Sequence, residues 1–465
     1  MDIQHYFDKK VFFIGIGGSS MSGLARLMKW HGSTVSGSDK NASHKTDALT
    51  EEGINVHIGH KKENVLGSDL VVYSAAIPED NPERVSAAEN GIPQIERCTL
   101  IGLLMQHCED AIAISGTHGK TTTTAMLASV FVAAGEDPTV HIGGELDALG
   151  GSTRLGSGKA FICEACEYRA SFLSFLPRQA IILNIDKDHL DFYKDIDDIA
   201  NTFRKFAGLV PEDGCVYGCC DDKRVFKLLS TLSCRTRSFG LQPQNEITAE
   251  NLSFDENGCA TYTAAIFGHP LTEITLSVPG EANVIDSLAV VAVAYENEIP
   301  MGVVSEALEK FKGVHRRYEL TSVTDGVRVF TDYGHNPTET ANVLRTARRQ
   351  VVNRLWAVIQ PHTYSRTKTL FDEFMTCFGD ADEVLVTDID GAREVDPGDI
   401  NSGMLVDALV KHGVKAHLTP SFDDTEAYLR AHWQEGDSVV TLGCGSIYLL
   451  NEQIALHGDT KAEEN

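Results

Sequence analysis

The stretch Ala111 to Val130, AIAISGTHGKTTTTAMLASV, constrains the fold more than any other part of the chain. An apolar strand candidate (Ala111 to Ser115) runs into Gly116-Thr117-His118-Gly119-Lys120-Thr121, and a helix candidate follows. Strand, glycine-rich turn and helix in that order are what binding a polyphosphate requires. Glycines let backbone N–H groups approach phosphate oxygens, and the helix N-terminus adds its partial positive charge. Lys120 supplies a mobile point charge for the β/γ-phosphates, and the Thr121 hydroxyl can ligate Mg²⁺. The turn falls short of the full GxxxxGK[ST] pattern, whose early glycine would stand at Ile114. β-Branched residues start helices poorly, so the run Thr121 to Thr124 reads as chosen for its hydroxyls. The stretch reads as an ATP site.

With 465 residues, the chain is too long for one core, and two to four domains are expected. A net charge of −26 argues against nucleic acid or a membrane surface as a partner, because both would repel it. Small anions remain accessible, since a local glycine loop with a lysine outweighs distant charge once salt screens it. The N-terminus MDIQHYFDKK has no apolar signal region and no apolar run approaches the length of a membrane span, so a cytoplasmic location is expected. The 11 cysteines are an odd number, and reduced thiols are the default for them. Cys163 and Cys166 form a CxxC, but three apart on a strand they would point to opposite faces, which disfavours zinc.

Residues 1–106 read as a first α/β unit. VFFIGI (Val11 to Ile16) is a buried strand, GIGGSSMSGLARLM a glycine-rich turn entering a helix, and TVSGSD a second strand ending in Asp39. A third, DLVVYSAAIP, ends at Pro78. The arrangement resembles a dinucleotide fingerprint, in which a diphosphate sits on the helix N-terminus and an acid meets the ribose. Gly15, Gly17, Gly18, Ser19, Ser20, Met21 and Ser22 are the loop candidates, with Asp39 either a ribose contact or a turn residue.

The second unit, 107–313, opens with the ATP stretch. Its helix carries Met126, Leu127, Val130 and Phe131 on one face and ends at Gly135. Two buried strands follow, KAFICE closing on Glu164 and AIILNI leading to DKDHLD with His189. If both run parallel to the strand ending at Ser115, then Thr121, Glu164 and His189 converge beyond the carboxyl ends and could hold Mg²⁺. Residues 245–278 alternate with turn signals at Asn257-Gly258 and Gly268, which predicts an antiparallel meander. A strongly apolar helix from Ala282 to Tyr295 comes next.

The third unit, 314–465, begins near GVHRRYEL, whose Arg316 and Arg317 suit phosphate or carboxylate. A strand (Val327 to Tyr333) leads into GHNPTE, where Asn336 as N-cap, Pro337 as N1 and Glu339 as N3 make a capping box. That leaves Asp332 and His335 as candidates for chemistry. LWAVIQ then PHTYSR, EVLVTDID, a strand near Val414 and SVVTLGCGSIY alternate with helices, which predicts a second doubly wound sheet. The tail GDTKAEEN is expected to fray.

Taken together, GIGGSSMSGLA, SGTHGKTTTT, EACEYRASFL, NIDKDHLDFY, GVHRRYEL, DYGHNPTE and QPHTYSRTKTLFDEF resemble the Mur ligase family over residues 11 to 450. The resemblance implies an α/β protein of three domains. A Rossmann-like N-terminal domain holds a UDP-sugar. A central P-loop-type ATPase domain with a small antiparallel sheet holds ATP and Mg²⁺. A C-terminal Rossmann-like domain brings an amino acid. The activity implied is ligation of L-alanine to the carboxylate of UDP-N-acetylmuramate through an acyl phosphate, a step of peptidoglycan synthesis, by a monomer or dimer. By the same resemblance Gly116, Thr117, His118, Gly119, Lys120, Thr121 and Thr122 form the ATP loop, joined by Asn283. Thr121, Glu164 and His189 ligate Mg²⁺, and Arg317, His335 and Arg366 face the phosphates or the incoming amine. Four departures stand out: Ala282 where a histidine is usual, Asn336 where a second histidine is commoner, Thr363 for arginine, and Cys444-Gly445-Ser446 for Ala-Gly-Asp.

Three other readings compete. A murein peptide ligase would attach a tripeptide to the same UDP-sugar. A nicotinamide-dependent oxidoreductase built on the first glycine loop leaves Lys120, Glu164 and His189 unexplained, and those same residues argue against a non-catalytic nucleotide-binding protein.

Overall fold

The computed structural model describes residues 1–146 and 151–458. The part of the tail beyond residue 458, expected to fray, lies outside the described residues. Met1–Ile185, Ala200–Thr248 and Ala289–Ala307 form one compact unit, and Asp186–Ile199, Ala249–Leu288 and the chain from Leu308 onward form another.

The first unit begins with strands β1 (Lys10–Ile14), β2 (Thr34–Asp39), β3 (Asn55–Ile58), β4 (Leu70–Tyr73) and β5 (Gln94–Glu96), in the order β3-β2-β1-β4-β5. All four neighbouring pairs are parallel. Val11, Phe12, Phe13 and Ile14 are fully buried, as befits a central parallel strand covered on both faces. The two edge strands were not legible, since NVHI and QIE are short and half polar. The strand expected to reach Pro78 stops at Tyr73, because the Ile77 N–H turns back to the Ser74 carbonyl at 2.9 Å.

A second sheet in the same unit contains β6 (Asp110–Ser115), β7 (Thr139–Leu146), β8 (Gly151–Arg154), β9 (Ala160–Glu164), β10 (Gln179–Ile182), β11 (Cys215–Cys219) and β12 (Arg235–Gly240). Their order is β12-β11-β10-β6-β9-β7-β8, parallel except for β8 on β7. The helix Lys120–Ala133 follows β6, buries Met126, Leu127, Val130 and Phe131, and gives way at Gly135, whose φ is +80°. Because β6, β9 and β10 are parallel, Ser115, Glu164 and the residues after Ile182 emerge at one end of the sheet.

β13 (Ile247–Phe254) starts as a parallel partner of β12, through Ile247 and Thr248, and lies next to β14 in the sheet. In the second unit, β14 (Cys259–Ile266) and β15 (His269–Pro279) form an antiparallel hairpin. Phe267 and Gly268 both take positive φ at its tip, the geometry of a two-residue hairpin turn. Then come β16 (Glu319–Thr324), β17 (Val327–Asp332), β18 (Leu355–Ile359), β19 (Glu383–Val386), β20 (Ala416–Leu418) and β21 (Ser438–Leu442). Their order is β16-β17-β21-β18-β19-β20, parallel apart from the β16 edge. Leu355, Ala357 and Ile359 enter one core while Trp356 and Val358 enter another, so both faces are covered. This is the doubly wound sheet the alternation predicts. Among the described residues no helix is long and apolar enough to cross a membrane.

Candidate active site

In the first unit the turn after β6 is shaped by two glycines of positive φ, Gly116 (+149°) and Gly119 (+86°). A Cβ on Gly116 would come within 2.8 Å of the Leu183 Cβ, so only glycine fits that approach. Gly119 is the N-cap of the helix Lys120–Ala133 and offers no side-chain cap. Asn184 pins the turn from the end of β10. Its side-chain oxygen accepts from the His118 N–H at 2.8 Å, its amide donates to the His118 carbonyl at 3.1 Å, and its carbonyl accepts from the Thr117 N–H at 3.2 Å. This duty ends β10 at Ile182, short of the Ile185 expected from the apolar run.

Lys120 lies against its own turn, with Nζ donating to the carbonyls of Gly116 (2.5 Å) and Thr117 (2.9 Å) and to Glu167 Oε2 (3.0 Å). Burial opposes its charge, but Glu167, with Cys166 and Glu164, holds the ammonium above its ordinary value. Glu167 had no role in the sequence reading. Its signal was there: a second carboxylate three residues after Glu164, in EACE. Glu164 Oε2 accepts from Thr121 Oγ1 at 3.0 Å and from the Gly143 N–H at 2.9 Å. A Cβ on Gly143 would approach that same carboxylate oxygen to 2.8 Å, so glycine lets β7 lie close against the Glu164 carboxylate. These are hard oxygen donors side by side, the chemistry that suits Mg²⁺. The Thr121 hydroxyl is thus directed at Glu164, whereas Thr124 bonds back to the Lys120 carbonyl at 2.7 Å.

At the first glycine turn, Gly15 takes φ +81° and Gly18 caps the helix Ser19–Trp30 without a side chain. Asp39 Oδ2 accepts from the Gly17 N–H at 2.9 Å and Oδ1 from the Asn41 N–H at 3.3 Å, so this acid braces the turn. Met21 is core at 2% exposure, and Ser22 Oγ donates to the Ser19 carbonyl at 3.0 Å. Ser19 and Ser20 are the loop hydroxyls met by cations: Lys45 Nζ donates to Ser19 Oγ at 2.5 Å and Arg97 Nη1 to Ser20 Oγ at 3.0 Å.

His189 falls in the second unit, at φ +53°. Its neighbour Asp188, overlooked in the sequence, is 7% exposed and gathers three of the candidates. Asp188 Oδ1 accepts from the His189 N–H at 2.6 Å and from Arg366 Nη2 at 3.0 Å, and Oδ2 lies 3.9 Å from His335 Nε2. Burial works against the Asp188 carboxylate, yet His189, Arg366 and His335 hold it well below its usual range. Burial also lowers the His335 and His362 imidazoles, with Arg366 adding to both effects. His362 Nδ1 stands 3.2 Å from Arg366 Nη1.

Asp332 is buried and pushed up to about 6, opposed by Arg317 and by the Gly334 and Tyr318 N–H groups. Asn336 caps the helix Pro337–Arg348 through the Glu339 N–H at 2.9 Å. The reciprocal half of the box is displaced, because Glu339 Oε2 accepts from the His335 N–H at 3.0 Å instead of from Asn336. Arg316 serves structure: its Nη2 donates to the carbonyls of Gly443 and Gly445 at 3.0 Å each, and its guanidinium lies over the Tyr333 and Tyr448 rings. The Arg317 guanidinium lies 5.0 Å from the Tyr333 ring centroid. Asn283 Nδ2 donates to the Pro279 carbonyl at 2.7 Å, which occupies its amide locally. Thr363 caps the helix Tyr364–Thr369 and accepts from the Arg366 N–H at 3.3 Å.

Among the described residues no group of three or more His, Cys, Asp or Glu side chains is arranged to hold a metal ion. Cys166 lies beyond the end of β9 rather than on it, and all 11 cysteines are free. Burial raises the Cys163 thiol and pushes Cys166 up to about 11.

Three family descriptions match successive parts of the chain: the Mur ligase family catalytic domain over residues 10–108, the Mur ligase middle domain over 114–294, and the Mur ligase glutamate ligase domain over 316–445. The chain belongs to the Mur ligase family. It is 46% identical over 445 residues to the UDP-N-acetylmuramate–L-alanine ligase of Acetivibrio thermocellus, covering 96% of this chain and 95% of that one. The corresponding ligase of Clostridium beijerinckii is also 46% identical, with 96% and 97% covered. Among solved structures, the UDP-N-acetylmuramate–alanine ligase of Thermotoga maritima superposes with a TM-score of 0.80 at 29% identity, over 96% of this chain and 98% of that one. A murein peptide ligase from Psychrobacter arcticus shares the Mur ligase fold, with a TM-score of 0.71 at 24% identity over 96% and 98%.

Proposed function

We propose that this chain is an ATP-dependent acid–amino-acid ligase that joins L-alanine to the carboxylate of UDP-N-acetylmuramate, in the cytoplasm, as a step of peptidoglycan precursor synthesis. One observation carries the reading: a half-buried lysine on a glycine turn, Lys120, beside the paired oxygen donors Thr121 and Glu164. In this proposal residues 1–106 hold the UDP-sugar, 107–313 hold ATP, and 314–465 bring the amino acid.

A carboxylate is a poor electrophile, so its oxygen first attacks the γ-phosphorus of ATP, giving an acyl phosphate and ADP. The amine of L-alanine then attacks the acyl carbon and loses a proton, and the tetrahedral species expels phosphate. No covalent enzyme nucleophile is required. What lowers the barrier is positioning and cations aimed at developing negative charge. The N–H groups of the Gly116–Thr122 loop and the helix N-terminus cradle the phosphates, and Lys120 moves its charge from the loop carbonyls to them. Thr121 and Glu164, with His189, are the residues that would hold Mg²⁺, which when bound neutralises phosphate charge. Arg317, Arg366 and His335 meet the phosphates or the incoming L-alanine, with Asp188 orienting Arg366.

Phosphate release tests the assignment. It is expected only when ATP, UDP-N-acetylmuramate and L-alanine are all present. Release with a tripeptide but not with L-alanine would replace the reading by that of a peptide ligase, and release with no acceptor amine would refute both.

A further inference from the structure

A diphosphate needs cations, and the turn from Gly15 to Ser22 contains none. The cations of the helix it enters are committed elsewhere. Arg26 pairs with Glu52 at 2.7 Å, and Lys29 Nζ donates to the Glu52 carbonyl. Arg97 differs. In a chain of net charge −26, no carboxylate among the described residues pairs with its guanidinium, and its one hydrogen bond runs from Nη1 to Ser20 Oγ at 3.0 Å. An arginine left without an anion beside a glycine turn and a bare helix N-terminus is poised for one.

Ser20 is itself held. His141, on β7, is 3% exposed and fixed at both ring nitrogens, Nε2 lying 2.7 Å from Ser20 Oγ and Nδ1 2.9 Å from Thr153 Oγ1 on β8. Burial, with Arg97 nearby, pushes the imidazole down to about 3 and so keeps it neutral. A hydroxyl can accept from Arg97 and still share a hydrogen bond with the imidazole. The helix approaches β8 closely here, since a Cβ at Gly23 would fall 1.9 Å from Thr153 Oγ1. The four side chains come from positions 20, 97, 141 and 153, so no local motif announces them.

We propose that Arg97 is a diphosphate-binding residue at the first glycine turn, and that His141 is the positioning residue that aims it through Ser20. The assignment rests on reading that turn as the sugar-nucleotide site. It makes strands β7 and β8 part of that site's support, although they belong to the ATP-binding sheet.

Equilibrium binding of UDP-N-acetylmuramate, of uridine and of a non-hydrolysable ATP analogue to the full chain separates the claims. Arg97→Ala is expected to weaken UDP-N-acetylmuramate about thirtyfold, the scale of a lost charge-assisted contact, and Arg97→Lys to recover part of it. Uridine, which lacks phosphates, and the ATP analogue should bind unchanged. His141→Ala should weaken the sugar nucleotide about fivefold alone and not at all in the Arg97→Ala background, as expected of a residue acting through another. It should raise KM for the sugar nucleotide and leave kcat unmoved. If Arg97→Ala does not fold, Arg97→Gln removes the charge and carries the same test. Undiminished affinity in the Arg97 variants, or equal losses for all three ligands, would overturn the diphosphate role. Additive effects of the two substitutions would overturn the positioning role. If the unaltered chain fails to bind the sugar nucleotide, the reading of the turn itself falls and the proposal with it.

Discussion

The first unit contains two glycine turns, each leading from a central parallel strand into a helix with no side-chain cap, and they obtain their positive charge in opposite ways. The turn at Gly116 has its lysine within it, folded onto the loop carbonyls and held by Glu167. The turn at Gly15 has none, and Lys45 and Arg97 reach it from elsewhere in the chain. A local cation suits a site where charge must follow a transferring phosphoryl group. Cations brought in by separate elements suit a site that has only to hold a diphosphate still.

Each of the following substitutions sharpens that contrast or breaks it. Lys120→Ala should lower kcat about a thousandfold with the thermal midpoint nearly kept, because a mobile cation acts on the transition state. A loss confined to KM for ATP would make it a holding residue like Arg97. Glu164→Gln should cost about a hundredfold at fixed Mg²⁺ and raise the Mg²⁺ concentration needed for half-maximal rate, as metal-ligand losses do. Unchanged Mg²⁺ dependence would take Glu164 out of the metal site.

At the other turn Asp39→Ala should lower stability by about 1 kcal/mol, the scale of a lost brace, and Asp39→Asn should restore most of it. A large loss of sugar-nucleotide affinity in Asp39→Asn would return this residue to the ribose. The smallest effect is one of pH. The folded-state value of His141 lies below its unfolded value, so the unfolded chain binds more protons as pH falls below about 6.5. The stability linked to His141 is therefore complete above that pH and is lost as pH falls toward about 3. The stability deficit of His141→Gln at pH 7.5 should shrink by pH 5.5 in thermal melts, and a constant deficit would contradict the neutral, buried imidazole.

The same contrast explains what could be read in advance. Lys120 and Thr121 were legible because loop, charge and hydroxyl lie within six residues, and Glu164 because an acid closing an apolar strand has no structural need to be there. Continuous apolar runs gave away the central strands, whereas the polar edges β3 and β5 carried no such pattern. Asn184, Glu167 and Asp188 stood inside motifs already singled out, but their duties are to hold other groups, and that depends on neighbours distant in sequence. Arg97 and His141 gave no signal, since an isolated arginine and an isolated histidine look the same whether they are solvated, buried or aimed at a ligand.

The most direct test of the central claim follows one oxygen atom. With UDP-N-acetylmuramate labelled with oxygen-18 in its carboxylate, activation by ATP predicts that the phosphate released with L-alanine present contains one heavy oxygen. Unlabelled phosphate accompanying amide formation would contradict the acyl phosphate and the role given to the turn at Gly116.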